Sequence, residues 1–267
     1  MFASLSNFAD TNWRQRTQSK VQRGVILALT AFSFCVPLTP VFAAVKTVVL
    51  VHGAFADGSG WKSVTDILRH DGYKILVVQQ PETTYADDVA ATKRVLAAAG
   101  PCVLVGHSYG GSVITEAGTH DSARVLVYVA AFAPDVGESA GSLNSKTPAL
   151  AKSIGPVGDG FLQVDPASFH ADFAADLPAA TAEFMAFSQV PISMEAFGGS
   201  PKVAAWKSKP VFGVVAKDDH MINPDLERSM YSRAKATITE LPGSHALYIS
   251  HAKEVAAVIE KAAKAAE

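Results

Sequence analysis

Cysteine is nearly absent, with two in 267 residues, Cys35 and Cys102. Cys35 falls in a segment expected to be removed, so no intramolecular disulfide is available and stability has to come from a packed core. Charge is also sparse: 18% of residues are charged, against about 25% in ordinary domains, while 49% are hydrophobic. That balance excludes a disordered or charge-rich solenoid chain. There is no basic surplus, because 23 Lys and Arg face 25 Asp and Glu. A net charge of −2 leaves little to neutralise phosphates and argues against nucleic acid as a partner. Nineteen Gly and 14 Pro are ordinary numbers, which removes collagen-like and low-complexity readings. No internal repeat is visible.

Metal and nucleotide signatures are missing too. No two of the eight histidines fall in the His-x3-His or His-Glu-x2-His spacing that sets two ligands on one helical face, so no metal is expected. Gly53 to Gly60 is glycine-rich but lacks both the Gly-x-Gly-x-x-Gly pattern and the lysine of a phosphate-binding loop, so no nucleotide cofactor is expected either. No apolar run reaches the roughly 20 residues of a membrane span.

The N-terminus has its own pattern. A polar lead carrying Arg14, Arg16, Lys20 and Arg23 precedes the apolar stretch Val25 to Val36, and Val41-Phe42-Ala43 supplies small residues at the −3 and −1 positions of a cleavage site. This three-part layout predicts a secretory signal over residues 1–43 and a secreted or periplasmic destination, with no stable membrane anchor. A buried N-terminal helix is the alternative. The lead is long, and Val21 would be the true start if its codon served as initiator. Bulky Phe34 before Cys35 argues against lipidation. Residues 44–267 then form the working domain, mildly acidic with 19 basic and 24 acidic side chains. A chain of that size buries about 70% of its unfolded surface.

Along that domain strands and helices alternate. Lys46 to Val51 is a β-branched run of the kind found in strands buried on both faces. Helical spacing follows in Trp61 to His70 and in Ala86 to Ala99, the second stopped by Gly100-Pro101. Lys74 to Val78, Cys102 to Val105 and Arg124 to Ala131 read as strands and Gly110 to Gly118 as a helix. After a break, Val211 to Ala216 and Thr237 to Leu241 read as strands, and Pro224 to Arg233 and His251 to Ala266 as helices. Such alternation predicts an α/β fold with a mainly parallel sheet of about six strands, joined by right-handed crossovers. Between Pro134 and Ser208 the alternation stops. A structureless loop of that length is unusual, so residues 134–208 are expected to form a mostly helical cap carrying Phe161, Phe169, Phe173, Phe184, Phe187, Phe197 and Trp206. About half of these aromatics should form the cap's own core, and the rest should line a pocket.

One junction carries chemistry. Gly106-His107-Ser108-Tyr109-Gly110 places a serine between glycines where a strand turns sharply into a helix. The turn lifts the hydroxyl to the helix N-terminus, where free N–H groups favour negative charge. A serine hydroxyl needs a base, and the base needs an orienting group. His245 follows the last strand and is the candidate base. Asp218 and Asp219, after the strand ending at Ala216, are candidate acids, giving the chain order Ser, Asp, His. Cys102, in a buried strand, reads as an inert apolar residue.

Five stretches together resemble the α/β-hydrolase superfamily: Leu50-Val51-His52-Gly53-Ala54, Gly58-Ser59-Gly60-Trp61, the serine turn, the Asp218-Asp219 loop and the His245 loop. The resemblance runs from Lys46 to the C-terminus and points to its small esterase and hydroxynitrile-lyase-like branch. It implies that Asp219, five residues before Pro224, is the acid. It also implies an oxyanion hole from the backbone N–H groups of Ala54 and Tyr109, with Phe55 as substitute for Ala54. Lyases of this branch typically carry Thr at the position of Gly53 and Lys at that of Ala246, so both departures point to hydrolysis. The expected activity is a serine carboxylesterase on small to medium esters. Perhydrolase, haloperoxidase-like or lyase chemistry with the same triad, or a ligand-binding protein on the same fold, are the alternatives. His52 and His107 are expected to pack and hydrogen-bond beside the oxyanion hole. His170 and His220 are expected at the surface or lid, and His70, His120 and His251 at solvent-facing helix ends. No stretch reads as a docking face for a macromolecule.

Overall fold

The computed structural model describes residues 45–266, so the expected signal at 1–43 lies outside the described residues. The chain begins with β1 (Thr47–Val51), a 3-10 turn at Gly58–Trp61, α1 (Lys62–His70), β2 (Lys74–Val78) and α2 (Tyr85–Ala99). It continues through β3 (Cys102–Ser108), α3 (Tyr109–Ala117) and β4 (Ala123–Ala131). The next segment holds α4 (Ala140–Lys146), β5 (Ile154–Gly158), β6 (Phe161–Val164), α5 (Pro166–Phe173), α6 (Ala179–Ser188), β7 (Ile192–Ser193), α7 (Met194–Phe197) and a 3-10 turn at Ala205–Lys207. Last come β8 (Val211–Ala216), α8 (Pro224–Arg233), β9 (Thr237–Leu241), α9 (Leu247–Ser250) and α10 (Ala252–Ala265).

Six strands form one sheet in the order β2-β1-β3-β4-β8-β9, and every neighbouring pair is parallel. Alternate side chains sort the core onto two faces. Val48 and Leu50 of β1, Val103 and Val105 of β3, and Val125 and Val127 of β4 pack with α1 and α10. Val49, Val51, Leu104, Leu126 and Tyr128 pack with α2, α3 and α8 on the other. Each fully buried Val or Leu contributes about 1.5–3 kcal/mol over leaving it exposed. Burial on both faces is why these strands read as continuous apolar runs.

The segment between β4 and β8 departs from the sequence expectation in one respect. Besides its four helices it contains a three-stranded antiparallel sheet, β5-β6-β7. The hairpin between β5 and β6 turns at Gly158, Asp159 and Gly160, with φ of 105°, 47° and 80°. Gly-Asp-Gly is a hairpin signal, but the flanking strands are short and only half-buried, which left no alternating pattern to find. The remaining boundaries shift slightly: β3 runs on to Ser108, α3 starts at Tyr109, and α9 precedes the terminal helix.

Candidate active site

Ser108 stands at the end of β3, facing the N-terminus of α3, with φ 54° and ψ −124°. A non-glycine residue held in such a region costs about 1–3 kcal/mol, which the surroundings must offset. Two close approaches make the turn possible. A Cβ on Gly106 would lie 2.6 Å from the Gly110 carbonyl oxygen, and a Cβ on Gly110 would lie 2.3 Å from that of His52. The glycines are therefore required by contact, and the Phe132 N–H, donating to the Ser108 carbonyl at 3.1 Å, ties the turn to β4.

Of the two aspartates after β8, the structure brings Asp219 to the histidine. Asp219 Oδ2 lies 2.6 Å from His245 Nδ1, both side chains being buried. The other oxygen, Oδ1, accepts the N–H groups of Met221 at 2.7 Å and Ile222 at 2.9 Å. Asp218 is exposed, and its carboxylate accepts the Gly243 N–H at 3.0 Å instead. Among the described residues the Ser108 hydroxyl makes no hydrogen bond to His245. His107, the residue before Ser108, does contact His245: its Nε2 donates to the His245 carbonyl at 2.9 Å and its ring lies 4.6 Å from that of His245. Burial, and then His245, hold the His107 imidazole well below its ordinary pKa, so it is neutral with its proton on Nε2.

The segment before β8 grips the histidine loop from above. The Phe173 ring meets His245 edge-on at 4.8 Å. Its carbonyl accepts the Ala246 N–H at 3.0 Å and the Ser244 hydroxyl at 3.1 Å. Asp176 accepts the Ser244 N–H at 3.1 Å and the Ser250 hydroxyl at 2.6 Å, and also binds the Ser244 hydroxyl. Burial alone would raise the Asp176 carboxyl, but these hydrogen bonds outweigh it and hold its pKa below the ordinary value. Nothing in the sequence singled out Phe173 or Asp176 for this task, because their partner lies about seventy residues downstream.

The expected oxyanion donors sit at the same edge. Tyr109 opens α3, and its hydroxyl donates to Asp88 at 2.7 Å. Phe55 has φ 63° and gives its N–H to the Val190 carbonyl at 3.2 Å, so it is not free to replace Ala54. The Ala54 N–H has no hydrogen-bond partner among the described residues. Its peptide is held from behind by His52. The Gln80 N–H donates to His52 Nε2 at 3.0 Å, which places the imidazole proton on Nδ1, and Nδ1 donates to the Gly53 carbonyl at 3.0 Å. Burial lowers the His52 pKa and keeps the ring neutral. The Gly53 carbonyl and the Ala54 N–H belong to one peptide, so this bond polarises the N–H. Glu82, wholly buried with φ 55°, lies 3.5 Å from His52 Nδ1, and burial followed by Asp88 pushes its carboxyl well above the ordinary value.

The other histidines hold peripheral places. His170 accompanies the Leu177 carbonyl at 3.0 Å, His220 lies 3.9 Å from Asp172, and His70 is exposed beside Asp71. Cys102 is buried, and burial pushes its thiol up to about 12, which fits an inert residue. Among the described residues no group of three or more His, Cys, Asp or Glu side chains is arranged to hold a metal. Likewise no described helix is long and apolar enough to cross a membrane. A cleft of about 180 Å³ opens beside the Ala54 loop, lined by Phe55, Ala56, Met185, Phe184, Tyr248 and Ile249, among others. Phe169 is buried, stacked on Phe173, and Trp206 is buried too, donating to the Pro134 carbonyl, so these two are core aromatics. Phe187, 73% exposed, neither fills the core nor joins the Phe55 cleft.

Comparison with known proteins agrees with this architecture. Residues 48–258 match the model of the alpha/beta hydrolase family. A probable hydrolase of Phoma sp. is 31% identical over 148 residues, covering 49% of this chain and 59% of the other. A pyrethroid hydrolase of Sphingobium wenxiniae is 27% identical over 248 residues, covering 80% of this chain and 86% of that one. Among solved structures, a pyrethroid hydrolase superimposes with a TM-score of 0.73 at 24% identity, over 83% of this chain and 98% of that chain.

Proposed function

The chain belongs to the α/β-hydrolase family, and from that premise we propose that it is a serine hydrolase cleaving small to medium carboxylic esters through Ser108, His245 and Asp219. One observation carries the reading: a buried 2.6 Å contact between Asp219 and His245 at the sheet edge where Ser108 is held at positive φ. Asp219 keeps the His245 proton on Nδ1, leaving Nε2 to take the proton of Ser108 as its oxygen attacks the ester carbonyl. A hydrogen bond between Ser108 and His245 forms as substrate enters, as is common in such sites. The N–H groups of Ala54 and Tyr109 take the charge developing on the carbonyl oxygen, each contributing a factor of about 10²–10³ in turnover. His245 returns the proton to the departing alcohol, and water repeats the sequence on the acyl-enzyme.

Two features favour hydrolysis over lyase chemistry. A Cβ on Gly53 would lie 2.6 Å from the Ser108 Cβ, so a threonine has no room at that position in this arrangement. Ala246 puts no cation after His245 to receive a leaving anion. The cleft beside the Ala54 loop, with Phe55, Ala56, Met185 and Ile249 as its apolar wall and the triad residues outside its lining, is where the hydrocarbon arm of an ester would extend. Residues 1–43 act, in the same reading, as a cleaved export signal, and a mature N-terminus at Ala44 is the expected result of intact-mass analysis of exported protein; retention of residues 1–43 would overturn it. The reading as a whole is tested by turnover of p-nitrophenyl esters from acetate to dodecanoate, with peroxide plus acetate and a cyanohydrin as competing substrates. Ester hydrolysis that vanishes in Ser108→Ala supports it. Hydrolysis that survives refutes it, and faster perhydrolysis or cyanohydrin cleavage moves the main activity to those reactions.

A further inference from the structure

Behind the acid lies a second carboxyl that the proposed reaction does not use. Glu227 of α8 is completely buried. Its Oε2 accepts the Ala216 N–H at 3.2 Å, and Ala216 in turn accepts the Asp219 N–H at 3.3 Å, so Glu227 is bonded to the base of the acid loop. No donor reaches Oε1, and the carboxyl lies within hydrogen-bonding reach of Asp219. The cation nearest in sequence, Arg228, is turned outward onto Glu240 and Asp225. Tyr231, one turn on, is occupied with the Ala131 backbone, accepting its N–H and donating to its carbonyl, and burial pushes its phenol well up, so it is neutral. The charged or titratable groups facing Glu227 are thus Asp219 from the acid loop and Tyr231 from its own helix, with His245 one step beyond Asp219 and Arg228 acting only from a distance.

Two carboxyls in contact in a dry site, with no cation between them, cannot both ionise. The hydrogen bonds decide which one keeps the proton. Asp219 already accepts three N–H groups, from Met221, Ile222 and His245. Glu227 accepts one.

We propose that Glu227 is a positioning residue, a carboxylic acid that donates its O–H to Asp219 and steadies the carboxylate that orients His245. The assignment rests on the triad reading above. Burial, and then Asp219, push the Glu227 carboxyl well above the ordinary glutamate value, in agreement with this state. A neutral donor disperses the charge on Asp219 and holds it in place. An ionised Glu227 would instead put two negative charges behind His245, which would then hold its proton too tightly to return it to the alcohol.

Glu227→Gln keeps a donor toward Asp219 and an acceptor for Ala216 but has no proton to lose, whereas Glu227→Leu removes both. Both variants of the full protein, checked for fold by circular dichroism, are compared with wild type in kcat and KM across the pH range, and in the low-field proton NMR signal of the His245–Asp219 hydrogen bond. The conservative variant should rescue: kcat within about two-fold of wild type, the acid limb of kcat/KM unmoved, and the low-field signal retained. Glu227→Leu should lose about ten-fold or more in kcat with KM changed less than about two-fold. A Glu227→Gln acid limb displaced downward by about a pH unit would mean that a charge had been removed, and would overturn the proposal. So would Glu227→Leu with unchanged kcat. If Glu227→Leu does not fold, the comparison of Glu227→Gln with wild type still decides. The NMR signal needs no substrate, so a failure of the ester-hydrolase reading, seen as activity surviving Ser108→Ala, stays distinguishable from a failure of this one.

Discussion

Replacing Asp219 by Asn tests the proposed site at the atom that orients its base. The substitution is nearly isosteric, so the outcome follows from hydrogen-bond direction. Oδ1 of Asp219 accepts two backbone N–H groups, from Met221 and Ile222, at 2.7 and 2.9 Å. In Asp219→Asn those donors fix the amide oxygen at that end and force the NH2 toward His245 Nδ1. A donor facing Nδ1 drives the imidazole proton to Nε2, and an Nε2–H cannot accept the Ser108 proton. The same tautomer error costs a factor of about 10⁴ in kcat in a well-studied Ser-His-Asp protease, equivalent to about 5.5 kcal/mol of transition-state stabilisation. The assay is burst and steady-state release of p-nitrophenol, with thermal unfolding to show that the variant is folded. Asp218→Asn is the companion variant: its carboxylate holds only the Gly243 N–H, so it should lose less than about ten-fold. Asp219→Asn within ten-fold of wild type, or Asp218→Asn the more damaged of the two, would refute the reasoning.

Other perturbations have signs set by the geometry. Gly53→Thr should abolish ester turnover, since its Cβ would fall 2.6 Å from that of Ser108; wild-type turnover in a folded variant would show that the loop has freedom this account denies it. Asp176 has its pKa lowered in the fold, so its contribution to holding the His245 loop is present above the ordinary aspartate range of about 3.9 and fades as pH falls through its lower folded value. Asp176→Asn should therefore bring to neutral pH the faster amide exchange at Ser244 and Ala246 that wild type shows only in acid, and unchanged exchange would contradict the clamp. Glu227 has the opposite sign: its raised carboxyl makes stability decline as pH rises above about 4.3, by up to about 1.4 kcal/mol per unit until it ionises in the fold. Glu227→Gln should flatten that decline in denaturant titrations, and an unaltered slope would show that Glu227 does not cause it.

The body of the fold was legible because its strands are buried on both faces. Val48 to Val51 and Val103 to Val105 can be read without any partner in view, since continuous β-branched and Leu runs between turn signals have few other uses. Ser108, His245 and the Asp218-Asp219 pair were legible because each sits at or just past the carboxyl end of a strand, where a parallel sheet collects its loops. Choosing Asp219 took more: in the sequence only the resemblance, through the spacing to Pro224, separates the adjacent aspartates, and in the structure the 2.6 Å contact with His245 does. The supporting layer stayed hidden. Phe173 and Asp176 look like ordinary cap residues, Asp88 like a helix first-turn acid, and Glu227 like a surface glutamate in a helix of mixed charge. Their roles arise from contacts across tens of residues, which neither periodicity nor local propensity encodes. For His52 the expected packing and hydrogen bonding beside the Gly53-Ala54 turn is seen, but its tautomer, set by a backbone N–H on β2's trailing loop, was not legible.

The central claim, that Ser108 is a nucleophile activated by His245, is met most directly by labelling with a fluorophosphonate and measuring intact mass. A single adduct, mapped to Ser108, absent from Ser108→Ala and strongly slowed in His245→Ala, is the predicted result. Folded wild-type protein that takes up no label, or takes it up at another residue, would contradict the account.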